Sequence, residues 1–263
     1  MRLLTVFLWI LLTEGCYTLF GILVADGPLY LSLIGAGVLL SILPLIFHVA
    51  VAKRRVSDAL GIRTRHPFAT YAAGFAGGTL LFLLVAPILL LFHAVAFSPV
   101  TNPSVPLILL YAFAFLLQGF GEEVLCRAFL LGYARETLSE TWAVVLSSGL
   151  FAALHLANDN ISILALINVF LFGVLASLLC LRSNSLWLCA GLHSAWNFAQ
   201  GCILGFPVSG ITGFPGILHA AGTDVLFSGG AFGPEGGIVA TALFTVCILP
   251  LLLGHTKKTG KSL

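Results

Sequence analysis

Eight apolar runs, each close to the length that crosses a bilayer, follow one another along this chain with short polar breaks between them. They lie at about 3–24, 28–52, 68–97, 105–133, 142–157, 161–181, 186–203 and 237–254. A transmembrane helix needs roughly 20 mostly apolar residues. A soluble domain carries about a quarter charged residues, whereas 8% of these 263 residues are charged and 59% are hydrophobic. The pattern predicts an all-α integral membrane protein: a bundle of about eight transmembrane helices forming one membrane domain over 1–263. The short runs 142–157 and 186–203 are expected to extend into their flanks.

Orientation follows from where Lys and Arg lie. Lys53, Arg54, Arg55, Arg63 and Arg65 share one break, Arg135 and Arg182 sit in two others, Arg2 comes first, and Lys257, Lys258 and Lys261 close the chain. If the N-terminus is cytoplasmic and every run crosses, the breaks at 53–67, 134–141 and 182–185 and the tail at 255–263 all face inward. Every Lys and Arg except Arg127 then lands on that side, and the breaks at 25–27, 98–104, 158–160 and 204–236 hold none. Both termini are therefore expected in the cytoplasm. The Gly- and Pro-rich segment 204–236 is too irregular to face lipid, so it is expected as an external or re-entrant loop folded over the helices.

Cys16, Cys126, Cys180, Cys189, Cys202 and Cys247 all fall in apolar segments and form no CxxC pair. They read as small packing residues rather than disulfide or metal-knuckle partners. The first run is longer than the apolar core of a signal peptide and lacks a small-residue cleavage site, so it reads as a retained helix. The composition suits a lipid bilayer as surroundings, and no nucleic acid is expected as a partner.

Against this background, "GFGEEVLCRAFLLGYAR" at Gly119–Arg135 places three formal charges within six residues: Glu122, Glu123 and Arg127. A charged side chain at the bilayer centre costs ~2.5–3.5 kcal/mol on insertion scales. Glu123 and Arg127 are four apart, share a helix face and can pair. Glu122 is turned about 100° away and is free to serve another purpose. Two more apolar runs carry buried polar groups: His155 in "FAALHLAND", and His193 with Asn197, one turn apart, in "GLHSAWNFAQG". At 1.5 Å per residue, Glu122 lies about 16–18 Å, His155 ~20 Å and His193 ~10–16 Å from the cytoplasmic end. The three can meet in one layer and form an intramembrane polar site within a motif core at 105–203.

A carboxylate among apolar helices can act as a general base near neutral pH. Glu122 with His155 can take a proton from water, and His193 with Asn197 can hydrogen-bond a developing oxyanion. These are the parts for amide hydrolysis without a covalent intermediate. The set Glu122, His155 and His193, with an open position, also suits a catalytic zinc ion. The sequence leaves both mechanisms open, the first needing no cofactor. HExxH, GxSxG and Gly-Asp patterns are absent, which removes several other protease chemistries. A proton-coupled transporter is the rival from another class. Against it stand the lack of an internal repeat and the compactness of the polar set.

In order along the chain, "EEVLCR", "FAALH" and "HSAWN" match EExxxR, FxxxH and HxxxN. On separate hydrophobic runs they resemble the CPBP family of intramembrane proteases, the CAAX-protease and bacteriocin-processing (ABI) group. "FGPEGG" before the last run is similar to a stretch common in bacterial members. The resemblance implies an α-helical membrane endopeptidase acting on a membrane-associated or lipidated peptide or protein. Its general base would be Glu122 working with His155, its oxyanion donors His193 and Asn197, and its supporting residues Glu123 and Arg127. It also implies a range of substrates: prenylated CAAX proteins for eukaryotic relatives, bacteriocin maturation or self-immunity for bacterial ones. The length and outer loop favour the bacterial group and a bacterial inner membrane. A non-catalytic scaffold of the same family is the alternative expectation.

Overall fold

In a computed structural model of the chain, the described residues are 3–222 and 224–259, with side chains described as far as Leu253. Arg2 and Lys261, and the side chains of His255, Lys257 and Lys258, lie outside the described residues.

The helices are α1 (Leu3–Leu23), α2 (Leu29–Val51), α3 (Pro67–Leu91), α4 (Val105–Ala134), α5 (Glu140–Leu154), α6 (Ile163–Ser183), α7 (Leu186–Phe198) and α8 (Ile238–Thr259). Their starts are legible in the residues. Ser139, Ser162 and Ser185 cap α5, α6 and α7, their hydroxyls accepting from Trp142, Ala165 and Leu188 backbone N–H groups. Such caps satisfy donors that the first turn leaves free. Pro67 opens α3, where a missing N–H costs nothing. Asn184, in the left-handed region at φ 49°, stops α6. Pro87 has no N–H to offer the carbonyl of Leu83, and α3 is interrupted at Leu84. Three helices contain π-helical turns: Phe47–Val51 at the end of α2, Val124–Leu131 within α4, and Ala199–Ile203 extending α7.

The structure bears on two expectations. First, among the described residues five of the eight expected runs (α1, α2, α3, α4 and α6) form helices long and apolar enough to cross a membrane, and the other three form shorter apolar helices. Helix α5 has 15 residues, and α7 and the apolar part of α8, Ile238–Leu253, are also short. Second, the chain is mostly helical but not all-α. The run 68–97 leaves its helix at Leu91, and β1 (Val95–Pro99) pairs antiparallel with β2 (Leu218–Gly222), Phe97 opposite Ala220. Backbone groups outside a helix need partners, and β1 supplies them to the segment between α7 and α8.

The basic breaks gather at one end of the bundle. Arg54 pairs with Glu136, Arg182 reaches Glu140 at 2.8 Å, and Trp187 Nε1 donates to the Ile62 carbonyl at 2.8 Å. The β1–β2 ribbon lies at the other end. There Asn158 Nδ2 donates to the Ser209 carbonyl at 2.9 Å, and Gly210 N–H to the Phe232 carbonyl at 2.9 Å.

Glycines let the helices that carry the polar residues approach closely. A Cβ at Gly74 or Gly78 of α3 would overlap the α7 backbone at Leu188 or Leu192, and one at Gly119 of α4 would overlap Ser194 of α7. Small residues at helix crossings permit this contact. It brings α4 and α7 into register, and with them Glu123 and His193.

Candidate active site

Glu122 and Glu123 lie where α4 passes from α-helical to π-helical winding. π-Helical turns recur at functional sites because they re-aim neighbouring side chains. Glu123 and Arg127 are both 0% exposed. Arg127 Nη1 donates to Glu123 Oε1 at 2.9 Å, and Nη2 donates to the Gly173 carbonyl of α6 at 3.0 Å. The guanidinium also lies 4.7 Å from the ring centroid of Phe151, a cation–π contact. One arginine thus joins α4, α5 and α6.

Glu123 Oε1 also receives Nδ1 of His193 at 2.9 Å. A carboxylate only accepts, so Nδ1 carries the proton and Nε2 points elsewhere. It points to Glu122, whose Oε2 lies 3.7 Å away. That is too long for a direct hydrogen bond. Glu122 Oε2 is buried and has no hydrogen-bond partner among the described residues. Its other oxygen, Oε1, accepts from Gln118 Nε2, and Gln118 Oε1 in turn accepts from Asn197 Nδ2 at 3.0 Å. Gln118 therefore bridges Glu122 and Asn197, and the second N–H of Asn197 has no partner among the described residues.

His155 follows the last residue of α5 as its cap, with φ −93°, rather than standing inside a helix. Its Nδ1 lies 2.8 Å from the Phe151 carbonyl, so Nδ1 donates and Nε2 is the free nitrogen. Phe151 packs against both imidazoles, with ring centroids 4.8 Å from His155 and 5.6 Å from His193.

Glu122, His155, His193 and Asn197 all line one cavity of about 140 Å³, bounded by residues of α1, α2 and α4–α8 and by the segment 207–214. Glu123 and Arg127 stand behind it. No three His, Cys, Asp or Glu side chains among the described residues are grouped so as to hold a metal ion. Glu122, His155 and His193 share the cavity without forming a ligand set.

Five further residues line this site beyond the candidate catalytic residues of the sequence motifs. Gln118 is one turn before Glu122 in the run "LLQGF", where a lone amide among apolar residues was the available signal. Phe151 belongs to the FxxxH match. Glu235, in "FGPEGG", accepts from Ser209 N–H and Ser209 Oγ at 2.7 Å each and from Trp196 Nε1 at 3.2 Å. It thereby fixes a loop residue held at φ 49°. Asn168 secures the same stretch by donating to the Glu235 and Gly237 carbonyls at 2.8 Å each. Glu14, on α1, also lines the cavity.

The fold defines a multi-pass helical membrane protein with a cavity between its helices. Residues 104–199 match the family described as Type II CAAX prenyl endopeptidase Rce1-like. That segment holds all three motifs, and the match bears out the resemblance to the CAAX-protease group. No curated protein matches the chain.

Proposed function

We propose that this chain is an intramembrane endopeptidase of the CAAX-processing type. It hydrolyses a peptide bond of a membrane-associated or lipidated protein, with its eight helical elements crossing the bilayer and both termini in the cytoplasm. The observation that carries the reading is Glu122 Oε2, a buried acceptor without a partner that faces His193 Nε2 across 3.7 Å inside a cavity. A water between two groups at that spacing can bond to both.

In the reaction, Glu122 with His155 takes a proton from water, and the water oxygen adds to the peptide carbonyl carbon. The carbonyl oxygen becomes an oxyanion. It receives the second N–H of Asn197, and Nε2–H of His193 when that ring carries both protons. The C–N bond then breaks, and the proton held by Glu122 passes to the leaving nitrogen, which restores the carboxylate. Glu123 and Arg127 touch no reacting atom; they set the direction in which His193 faces. The match over 104–199 supports a protease of this type, and the cavity supports the assignment of its residues.

The test is cleavage of membrane-anchored peptides by purified protein, with products read by mass spectrometry. A defined new cut is expected. Binding of the peptides with every bond left intact would favour the scaffold reading instead.

A further inference from the structure

The peptidase chemistry makes no use of Glu14, which lines the cavity. Three carboxylic side chains line the cavity: Glu14, Glu122 and Glu235. Glu235 is satisfied by Ser209 and Trp196. Glu122 accepts from Gln118 and faces His193. Glu14 Oε1 is buried with no hydrogen-bond partner among the described residues. No Lys or Arg lines the cavity. Arg127, behind the cavity, is taken up by Glu123 and the Gly173 carbonyl.

Helix α1 holds Glu14 there by ordinary packing. Val6, Ile10 and Glu14 recur every four residues and share a face. Val6 and Ile10 pack in one cluster with Phe47, Leu125, Phe129 and Tyr133. The next turn of α1 therefore carries Glu14 on along α4, toward Glu122. Tyr17, Leu33, Leu40 and Phe115 line the cavity beside it. This wall is largely aliphatic and aromatic, and α1 and α2 lie outside the segment that matches the family.

A half-buried carboxylate with one oxygen shut away from solvent is stabilised by a charged hydrogen-bond partner. Among the described residues no Lys or Arg lines the cavity to serve Glu14, so a basic group of a ligand fits there. Apolar walls that end in a carboxylate suit a long aliphatic stem with a charged tip, which is the form of lysine and arginine side chains. We infer that Glu14 and the α1–α2 wall form a specificity subsite for a basic side chain of the substrate. The inference rests on the peptidase reading for the identity of the ligand as a peptide.

The experiment scans membrane-anchored peptides in which each position around the cut is Lys, Gln or Glu in turn. Cleavage is measured as kcat/KM for the wild type, Glu14→Gln and Glu14→Lys. Binding of the same peptides is measured on Glu122→Gln with and without Glu14→Gln. At one position the wild type should favour Lys over Gln by roughly tenfold or more. Glu14→Gln should level that ratio while still cleaving the Gln peptide, and Glu14→Lys should turn the preference toward Glu. A Lys preference that survives Glu14→Gln, or a uniform loss of cleavage across all peptides, overturns the subsite. Binding separates the two readings. If nothing is cleaved but Lys-dependent binding is lost with Glu14→Gln, the subsite stands and the peptidase reading falls. Binding indifferent to Lys overturns the subsite whatever the cleavage shows.

Discussion

Glu123 Oε1 stands 2.9 Å from Nδ1 of His193 and receives Nη1 of Arg127 at the same distance. One buried oxygen thus orients the imidazole of α7 and neutralises the guanidinium of α4. The arrangement explains why the two adjacent glutamates do different work. Glu123 is spent on holding His193, and Glu122, turned away by the helix, keeps an unpartnered oxygen in the cavity.

Removing the arginine should therefore hurt twice. Breaking a buried ion pair from one side costs about 3–5 kcal/mol, because the other charge is left unpaired. Arg127→Met should lower the thermal unfolding midpoint in detergent by several degrees and abolish most cleavage. Arg127→Lys keeps the charge but not the fork that also reaches Gly173, so it should fall between. An Arg127→Met protein that unfolds like wild type would contradict the role given to the pair.

Gln118 joins the proposed base to the proposed oxyanion donor. Gln118→Leu keeps much of the volume but leaves Glu122 Oε1 and Asn197 without their shared partner. Steady-state kinetics should show kcat reduced by about tenfold, from roughly 1–3 kcal/mol of lost hydrogen bonding, with KM little changed. An unchanged kcat would remove Gln118 from the machinery.

Glu235 fastens the loop that closes the cavity. Glu235→Ala leaves Ser209 N–H, Ser209 Oγ and Trp196 Nε1 without their acceptor, at about 1–3 kcal/mol for each donor left buried. Limited proteolysis within 207–214 should quicken, and KM for a peptide should rise more than kcat falls. Glu235→Gln retains one acceptor oxygen and should recover part of both. A loop equally resistant in the alanine variant would show that Glu235 does not hold it.

The residues of the cavity do not form a metal-ligand set, so cleavage should survive exhaustive chelation followed by elemental analysis showing substoichiometric metal. Activity lost to the chelator and restored by zinc would contradict the glutamate mechanism.

What the sequence showed depended on how local each feature is. Apolar run length placed α1, α2, α4 and α6 within a few residues of their observed bounds. The four-residue spacing of Glu123 and Arg127 was enough to pair them. The rest is non-local. The pairing of β1 with β2 joins residues more than a hundred positions apart, and the apolar residues of β1 read as the end of a helix. The apolar pattern of "FAALHL" continues through His155 as if in a helix, but α5 stops at Leu154. That His193 meets Glu123 by one nitrogen and faces Glu122 by the other depends on the rotation of α7 against α4, set by Gly119 and its neighbours. Glu14 lies more than a hundred residues before Glu122, and no spacing in the sequence links them.

The central claim is that Glu122 is the base that activates water. Its most direct test is the single-turnover rate of cleavage of one membrane-anchored peptide by wild type and Glu122→Gln, with the folded state of each checked by its unfolding midpoint. General base catalysis contributes about 10²–10⁴-fold. The account predicts a loss of that size in Glu122→Gln, with peptide binding and unfolding midpoint retained. Cleavage by Glu122→Gln at the wild-type rate would contradict it.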